Sequence, residues 1–310
     1  MSADAETLGF LVIGAQKGGT TSLWQYLRGH QRIFMPSSKE LPVFTAAELR
    51  EEDLRAGMRA LAAEASNGAL LGTVTPDYMI GQGEVEVGTV ARRIATMLPE
   101  VKLIALLRDP IERAVSSHTM AVRRGQEGDS VEAALCRELE PTALESARRE
   151  PRPDNTYVTA GEYGRILAVY REHFPPDRLL VAFTEDLAHD PGGVLDDVLD
   201  FLGLPTGFRP DDLGVRHFRG GPGRLLDREG ERSLREFFSR EILPKMTGPA
   251  GQHQRTFDFF LETWNVVPEP PPPLSKALRR RLEEHFRSDA ESLARLDVPA
   301  PWIARWDQGL

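Results

Sequence analysis

The stretch "FLVIGAQKGGTTSL", residues 10–23, constrains the fold more than any other part of the chain. Four consecutive apolar residues, Phe10 to Ile13, fit a strand buried on both faces. From Thr20 to His30 the apolar residues Leu23, Trp24 and Leu27 recur at helical spacing. The turn between them carries Gly14, Gly18 and Gly19. Such a turn aims backbone N–H groups and the positive end of a helix at an anion. The common nucleotide-binding version is G-x-x-x-x-G-K-[ST], whose lysine reaches the β/γ-phosphates and whose hydroxyl binds magnesium. Counted from Gly14, that lysine belongs at position 20, where Thr20 stands instead. Lys17 occupies the middle of the loop, and Thr20, Thr21 and Ser22 place three hydroxyls at the helix start. No strand ending in aspartate stands out as the metal-binding partner of an NTPase, so an ATPase or GTPase is disfavoured.

Further buried-strand candidates are "VKLIALL", 101–107, "RLLVAF", 178–183, and more weakly "ALLGTV", 69–74. The first is followed by a helix that Pro110 can start, and the second is preceded by a helical pattern from about Glu162 to Phe174. Strands alternating with helices imply parallel pairing in an α/β layered sheet. After about Gly207 the pattern becomes helical, near Glu231–Ile242 and Gln254–Trp264. "PEPPPP", 268–273, then reads as a stiff spacer and Leu274–Leu296 as a charged amphipathic helix. The expected organisation is one domain over 1–310, with an α/β core at 8–207 and a helical C-terminal region at 208–310.

Composition removes several function classes. A net charge of −9 over 310 residues argues against a polyanion gripped over a wide surface, such as nucleic acid or long sulfated polysaccharide. One cysteine, Cys136, excludes an intramolecular disulfide framework and a cysteine-rich metal site. No apolar run approaches the ~20 residues that span a bilayer, and "MSADAETLGF" lacks the pattern of a secretory signal. The expectation is a cytoplasmic protein without a membrane or nucleic-acid partner.

"GAQKGGTTSL" resembles the 5′-phosphosulfate loop of sulfotransferases that use 3′-phosphoadenosine 5′-phosphosulfate (PAPS). "LLRDPIERAVSSH", 106–118, is similar to that family's 3′-phosphate segment, with Arg108 ending a strand and Ser116 on the next helix. Residues 161–204 resemble the helix–strand–helix of the branch containing heparan-modifying enzymes and bacterial relatives. The resemblance implies a P-loop-NTPase-like three-layer sandwich with a central, mainly parallel sheet and added C-terminal helices. It implies sulfuryl transfer from PAPS to a hydroxyl of a small-molecule acceptor, without a metal.

By the same resemblance, Gly14, Gln16, Lys17, Gly18, Gly19, Thr20, Thr21 and Ser22 hold the 5′-phosphosulfate, and Lys17 neutralises charge on the leaving oxygen. Arg108 and Ser116 hold the 3′-phosphate, joined by Phe218, Arg219 and Gly220 of a second loop, with Tyr163 beside adenine. Glu40, in "SSKELPVF", matches the family's general base; His118 is a second candidate because imidazole titrates near neutrality. One position departs: relatives often carry lysine two residues before the proline of "K-T-P-x-Y", bacterial members varying there, whereas this chain has Val74, and Lys39 is a candidate substitute. Asp77 and Tyr78 are candidates to line the acceptor pocket. Two alternatives stay open, an ATP-dependent small-molecule kinase and a non-catalytic 3′-phosphonucleotide-binding protein.

Overall fold

A computed structural model describes residues 8–308, apart from 38, 66–67, 216–224, 247–252, 255–256, 259–260, 262–264, 268–269 and 271–272. A parallel five-stranded sheet runs in the order β2-β3-β1-β6-β7. Its strands are β1 (Phe10–Gly14), β2 (Ile33–Phe34), β3 (Leu70–Val74), β6 (Lys102–Leu107) and β7 (Leu179–Phe183). A short hairpin, β4 (Gly81–Gln82) with β5 (Val85–Glu86), stands apart.

Side chains alternate across a strand, and the two cores follow that alternation. Leu11 and Ile13 of β1, with Leu103, Ala105 and Leu107 of β6, enter one core with α3 (Val87–Met97) and α7 (Tyr163–Arg171). Phe10 and Val12, with Ile104 and Leu106, enter the other with α1 (Thr20–Arg28) and α9 (Pro191–Phe201). The result is helix, sheet, helix in three layers, which is why these strands read as unbroken apolar runs.

The remaining helices of the first two hundred residues are α2 (Glu51–Glu64), α4 (Pro110–Arg124), α5 (Val131–Glu138), α6 (Pro141–Arg149) and α8 (Thr184–His189). After β1 the chain builds one side of the sheet through β2 and β3, then crosses to β6 and β7. The crevice beyond the carboxyl end of β1 is therefore the topological switch point, where open α/β sheets bind ligands.

In the C-terminal region, α10 (Arg228–Phe237) continues as a π turn over Phe238–Ile242, within the expected helical stretch. The Gln254–Trp264 stretch and the proline spacer lie partly outside the described residues. The amphipathic helix is α11 (Lys276–Ala294), capped by Ser275, and it buries Leu278, Leu282, Phe286 and Leu293 against the first core. Asp289 accepts from the backbone N–H groups of Gly164 and Arg165, at 2.7 and 2.9 Å, fastening α11 to the start of α7. The chain closes on α12 (Trp302–Asp307), with Trp302 and Trp306 buried.

Candidate active site

The loop after β1 owes its path to glycine at one position above all. A Cβ on Gly18 would stand 2.3 Å from the carbonyl oxygen of Leu106, so the loop lies on the end of β6 only because that residue has no side chain. Thr184 Oγ1 donates to the carbonyl oxygens of Gly18 and Leu107, at 2.6 and 2.9 Å, tying the loop to β6 from the far side. Lys17 takes the left-handed backbone region, φ 69°, and Gly19 follows with φ 87°. A left-handed lysine is an unfavourable conformer that the surrounding packing must hold, a condition that clusters at binding sites.

A cavity of about 480 Å³ opens over this loop at the switch point. Gln16, Lys17, Gly19, Thr20, Thr21 and Ser22 form its floor; Gly14 and Gly18 shape the loop from beneath without lining it. Arg108 and Ser116 enter from the end of β6 and from α4, and Glu40, Lys39 and Asp77 enter from the segments before and after β3. Five expected participants, up to a hundred residues from the loop in sequence, thus face one space with it. Arg108 pairs with Glu112 at 2.8 Å and reaches the carbonyl oxygen of Lys17 at 3.4 Å.

Two of the expected ligands lie elsewhere. His118 follows Ser116 by two residues, about 200° around the helix, so it cannot face the cavity that Ser116 faces. Its ring meets Tyr157 edge-on, at 5.4 Å between centroids, and Nε2 lies 3.0 Å from the carbonyl oxygen of Asp129. The general-base candidacy of His118 is therefore withdrawn. Tyr163 is fully buried at the start of α7, edge-on to Trp302 at 5.7 Å, and does not line the cavity, so it has no place beside an adenine there. Tyr78 is likewise a core residue, donating its hydroxyl to the carbonyl oxygen of Leu41. Phe218, Arg219 and Gly220 lie outside the described residues.

The structure adds residues that the sequence reading missed. Met120, Arg123 and Arg124 line the cavity with Glu112 and Ser116. These five positions recur at the three- and four-residue steps of one helix face, so α4's periodicity, anchored on Ser116, was the available signal. Arg305 also lines the cavity, from the far end of the chain, and no local pattern announces it.

The electrostatics are those of an anion site. Lys17 is pushed down to about 7 by burial, then by Arg123, Arg124, Arg108 and Lys39. Crowding cations around an ammonium raises the cost of its charge, and a bound polyanion reverses the sign of that field. Lys39 is also held below its usual range by burial, against the opposing pull of Glu40 and Asp77. Its Nζ lies 3.3 Å from Thr20 Oγ1 and 3.6 Å from Glu40 Oε1. The backbone N–H of Val74 donates to the carbonyl oxygen of Lys39, at 3.2 Å, so Lys39 stands beside the buried Val74 while its ammonium reaches the cavity.

Asp77 is pushed up to about 6 by burial and by Glu40, against a hydrogen bond from Gln16 and the cations Arg124 and Lys39. Gln16 Nε2 donates to Asp77 Oδ1 at 3.3 Å while its Oε1 accepts from Ser117 Oγ at 2.9 Å, so the amide fixes the carboxyl group's place.

A parallel-sheet sandwich with an anion-cradling loop at its switch point defines the P-loop-like class of α/β proteins. Within that class the chain belongs to the sulfotransferase domain family, whose profile matches residues 9–217. It is 28% identical over 264 residues to heparan sulfate glucosamine 3-O-sulfotransferase 3B1 of Mus musculus, covering 77% of this chain and 63% of that one. The crystal structure of a sulfotransferase from Alicyclobacillus acidocaldarius superposes with a TM-score of 0.56 at 25% identity, over 82% of this chain and 95% of that one. The chain spans between 57% and 63% of the length of four heparan sulfate glucosamine 3-O-sulfotransferases that it matches.

The expectation of a cytoplasmic protein is overturned by these relatives. They include the membrane-associated sulfotransferase kil1 of Dictyostelium discoideum, 34% identical over 114 residues, or 37% of this chain and 23% of that one. Membership of the family therefore does not carry a compartment with it. Among the described residues no helix is long and apolar enough to cross a membrane.

Proposed function

We propose that this protein transfers a sulfuryl group from PAPS to a hydroxyl of a small-molecule acceptor. One observation carries the reading: a single cavity holds a hydroxyl-rich loop with Lys17 and, at the end of the neighbouring strand, Arg108 with Ser116. Two separate anion-binding groups suit a nucleotide with phosphates at both its 3′ and 5′ ends. The donor set fits such a ligand, since helix N-termini, hydroxyls and guanidinium groups all favour phosphate oxygens.

In this reading the loop's N–H groups and the hydroxyls of Thr20, Thr21 and Ser22 hold the 5′-phosphosulfate. PAPS supplies an activated sulfuryl group with a good leaving group. Lys17 neutralises charge that grows on the leaving oxygen, as in the loose transition states of phosphoryl transfer, a stabilisation of several kcal/mol. Glu40 takes the proton of the acceptor hydroxyl, and Lys39, 3.6 Å away, orients its carboxylate. Lys39 also adds a second ammonium beside the loop, next to Val74.

The test is turnover of labelled PAPS against a panel of hydroxyl-bearing metabolites, with ATP and magnesium in parallel. Label transfer from PAPS is expected. Transfer from ATP alone would replace the reading with a kinase, and tight nucleotide binding without transfer to any acceptor would replace it with a non-catalytic binding protein.

A further inference from the structure

The family profile ends at residue 217, yet the cavity is also lined by a residue almost ninety positions later. We propose that Arg305 is a nucleotide-binding residue that holds the 3′-phosphate together with Arg108. The proposal rests on the PAPS reading above and deepens it.

Asp109, the residue after Arg108, organises this end of the site. Its Oδ1 accepts from the backbone N–H groups of Ile111 and Glu112, at 2.9 and 3.2 Å, capping α4. Its Oδ2 accepts from Trp306 Nε1 at 2.9 Å and from Arg305 Nη2 at 3.3 Å. Glu185 Oε1 accepts from the same Nη2 at 3.2 Å and from the Asp109 N–H at 3.2 Å. The Arg305 guanidinium is thereby bonded to the residue that follows Arg108, and both arginines line the cavity.

Three features separate a ligand-binding role from a purely structural one. First, α12 is already anchored by its tryptophans: Trp302 is packed edge-on between Tyr163 and Phe183, and Trp306 is bonded to Asp109. Second, both Arg305 bonds use Nη2, and among the described residues Nε and Nη1 make none, so each of these nitrogens, on opposite edges of the guanidinium, keeps an N–H to offer singly to a phosphate oxygen. Third, the Arg305 side chain is 38% exposed and lines the cavity, whereas the Asp109 side chain to which it is bonded is 5% exposed. Asp109 is thus shielded from an entering phosphate, whereas Glu112 and Glu185, the partners of Arg108 and Arg305, line the cavity and must yield those arginines to it.

The experiment is calorimetric binding of 3′-phosphoadenosine 5′-phosphate (PAP) and of AMP to the full chain and to Arg305→Met. The methionine keeps the side chain's bulk and removes its charge and donors. PAP affinity is expected to fall about 10- to 100-fold, the worth of hydrogen bonds to a charged group, while AMP affinity stays within threefold. The double variant Arg305→Met with Glu185→Gln is expected to stay weak. Recovery of PAP binding there would overturn the proposal, because it would mean that Arg305 merely cancels Glu185. Equal losses for PAP and AMP would also overturn it.

Arg305→Lys retains the positive charge opposite Asp109 and Glu185 and is expected to show a smaller loss, again selective for PAP. It decides the matter if the methionine variant fails to fold, and an unchanged PAP affinity in it would then overturn the proposal. A wild-type protein that binds PAP no better than AMP would sink the two-phosphate reading itself. A wild-type preference for PAP that survives in Arg305→Met would sink only this inference.

Discussion

Raising the pH from 7 to 9 should weaken PAP binding about 50-fold, and Lys17 should be the main cause. In the free protein Lys17 sits at about 7, pushed down by burial and by its ring of cations. A dianionic phosphate beside it supplies the missing counter-charge and returns the ammonium toward its ordinary range near 10.4. A group whose bound pKa exceeds its free pKa takes up a proton on binding, so affinity falls as pH rises between the two values. With a free value of about 7, roughly half the molecules carry the proton at pH 7 and about 1% at pH 9, which gives the 50-fold figure. At pH 8 binding should take up about 0.9 proton.

The window also avoids other titrations: Asp77, at about 6, is largely ionised above pH 7, and the phosphates are close to fully charged there. Lys39, likewise held below its usual range by burial, adds slope in the same direction. Lys17→Met isolates the larger share. Calorimetry in buffers of different ionisation heat measures the proton uptake directly, and the variant should lose most of it. A flat pH dependence in the wild type, or an unchanged uptake in Lys17→Met, would refute the argument.

Four further outcomes are expected. Arg108→Ala should weaken PAP binding by tenfold or more and AMP binding little, which competition calorimetry reads; equal losses would detach Arg108 from the 3′-phosphate. Glu40→Gln should lower kcat ~10²–10⁴-fold on an alcohol acceptor, the usual worth of a general base, with PAP affinity within threefold; near-normal turnover would move the base to Asp77, whose carboxyl also lines the cavity.

Gly18→Ala should cost several kcal/mol or displace the loop, because its Cβ meets the Leu106 carbonyl; wild-type melting and activity would contradict the close approach. Glu162, 3% exposed, is raised by burial but brought down to about 2 overall by hydrogen bonds from His285 and Arg148 and by Arg165 nearby. Its depressed value stabilises the fold above the ordinary carboxylate range, by on the order of 3 kcal/mol, and that contribution is lost as pH falls toward 2. Denaturant unfolding of Glu162→Gln should therefore show a deficit at pH 7 that shrinks at pH 3.

The parts of this protein legible in its sequence are those whose causes are local. The strand–loop–helix at residues 10–28 follows from an apolar run, glycines at fixed offsets and hydroxyls at a helix start, all within twenty residues. The same holds for Arg108 at the end of β6 and Ser116 two turns into α4, because strand and helix periods place both at the carboxyl edge of the sheet.

What the sequence could not show is which distant side chains meet over the loop. His118 and Ser116 lie on opposite faces of α4, and only the packing of that helix on the sheet decides that Ser116 enters the cavity while His118 meets Tyr157. Tyr163 looked free to stack on a ligand until α12 laid Trp302 against it. Arg305 reaches the site only because two tryptophans bury α12 beside Asp109. The values of Lys17 and Asp77 are tertiary for the same reason. Burial and the summed field of charges from two or three separate elements set them, and neither quantity has a sequence neighbour to announce it.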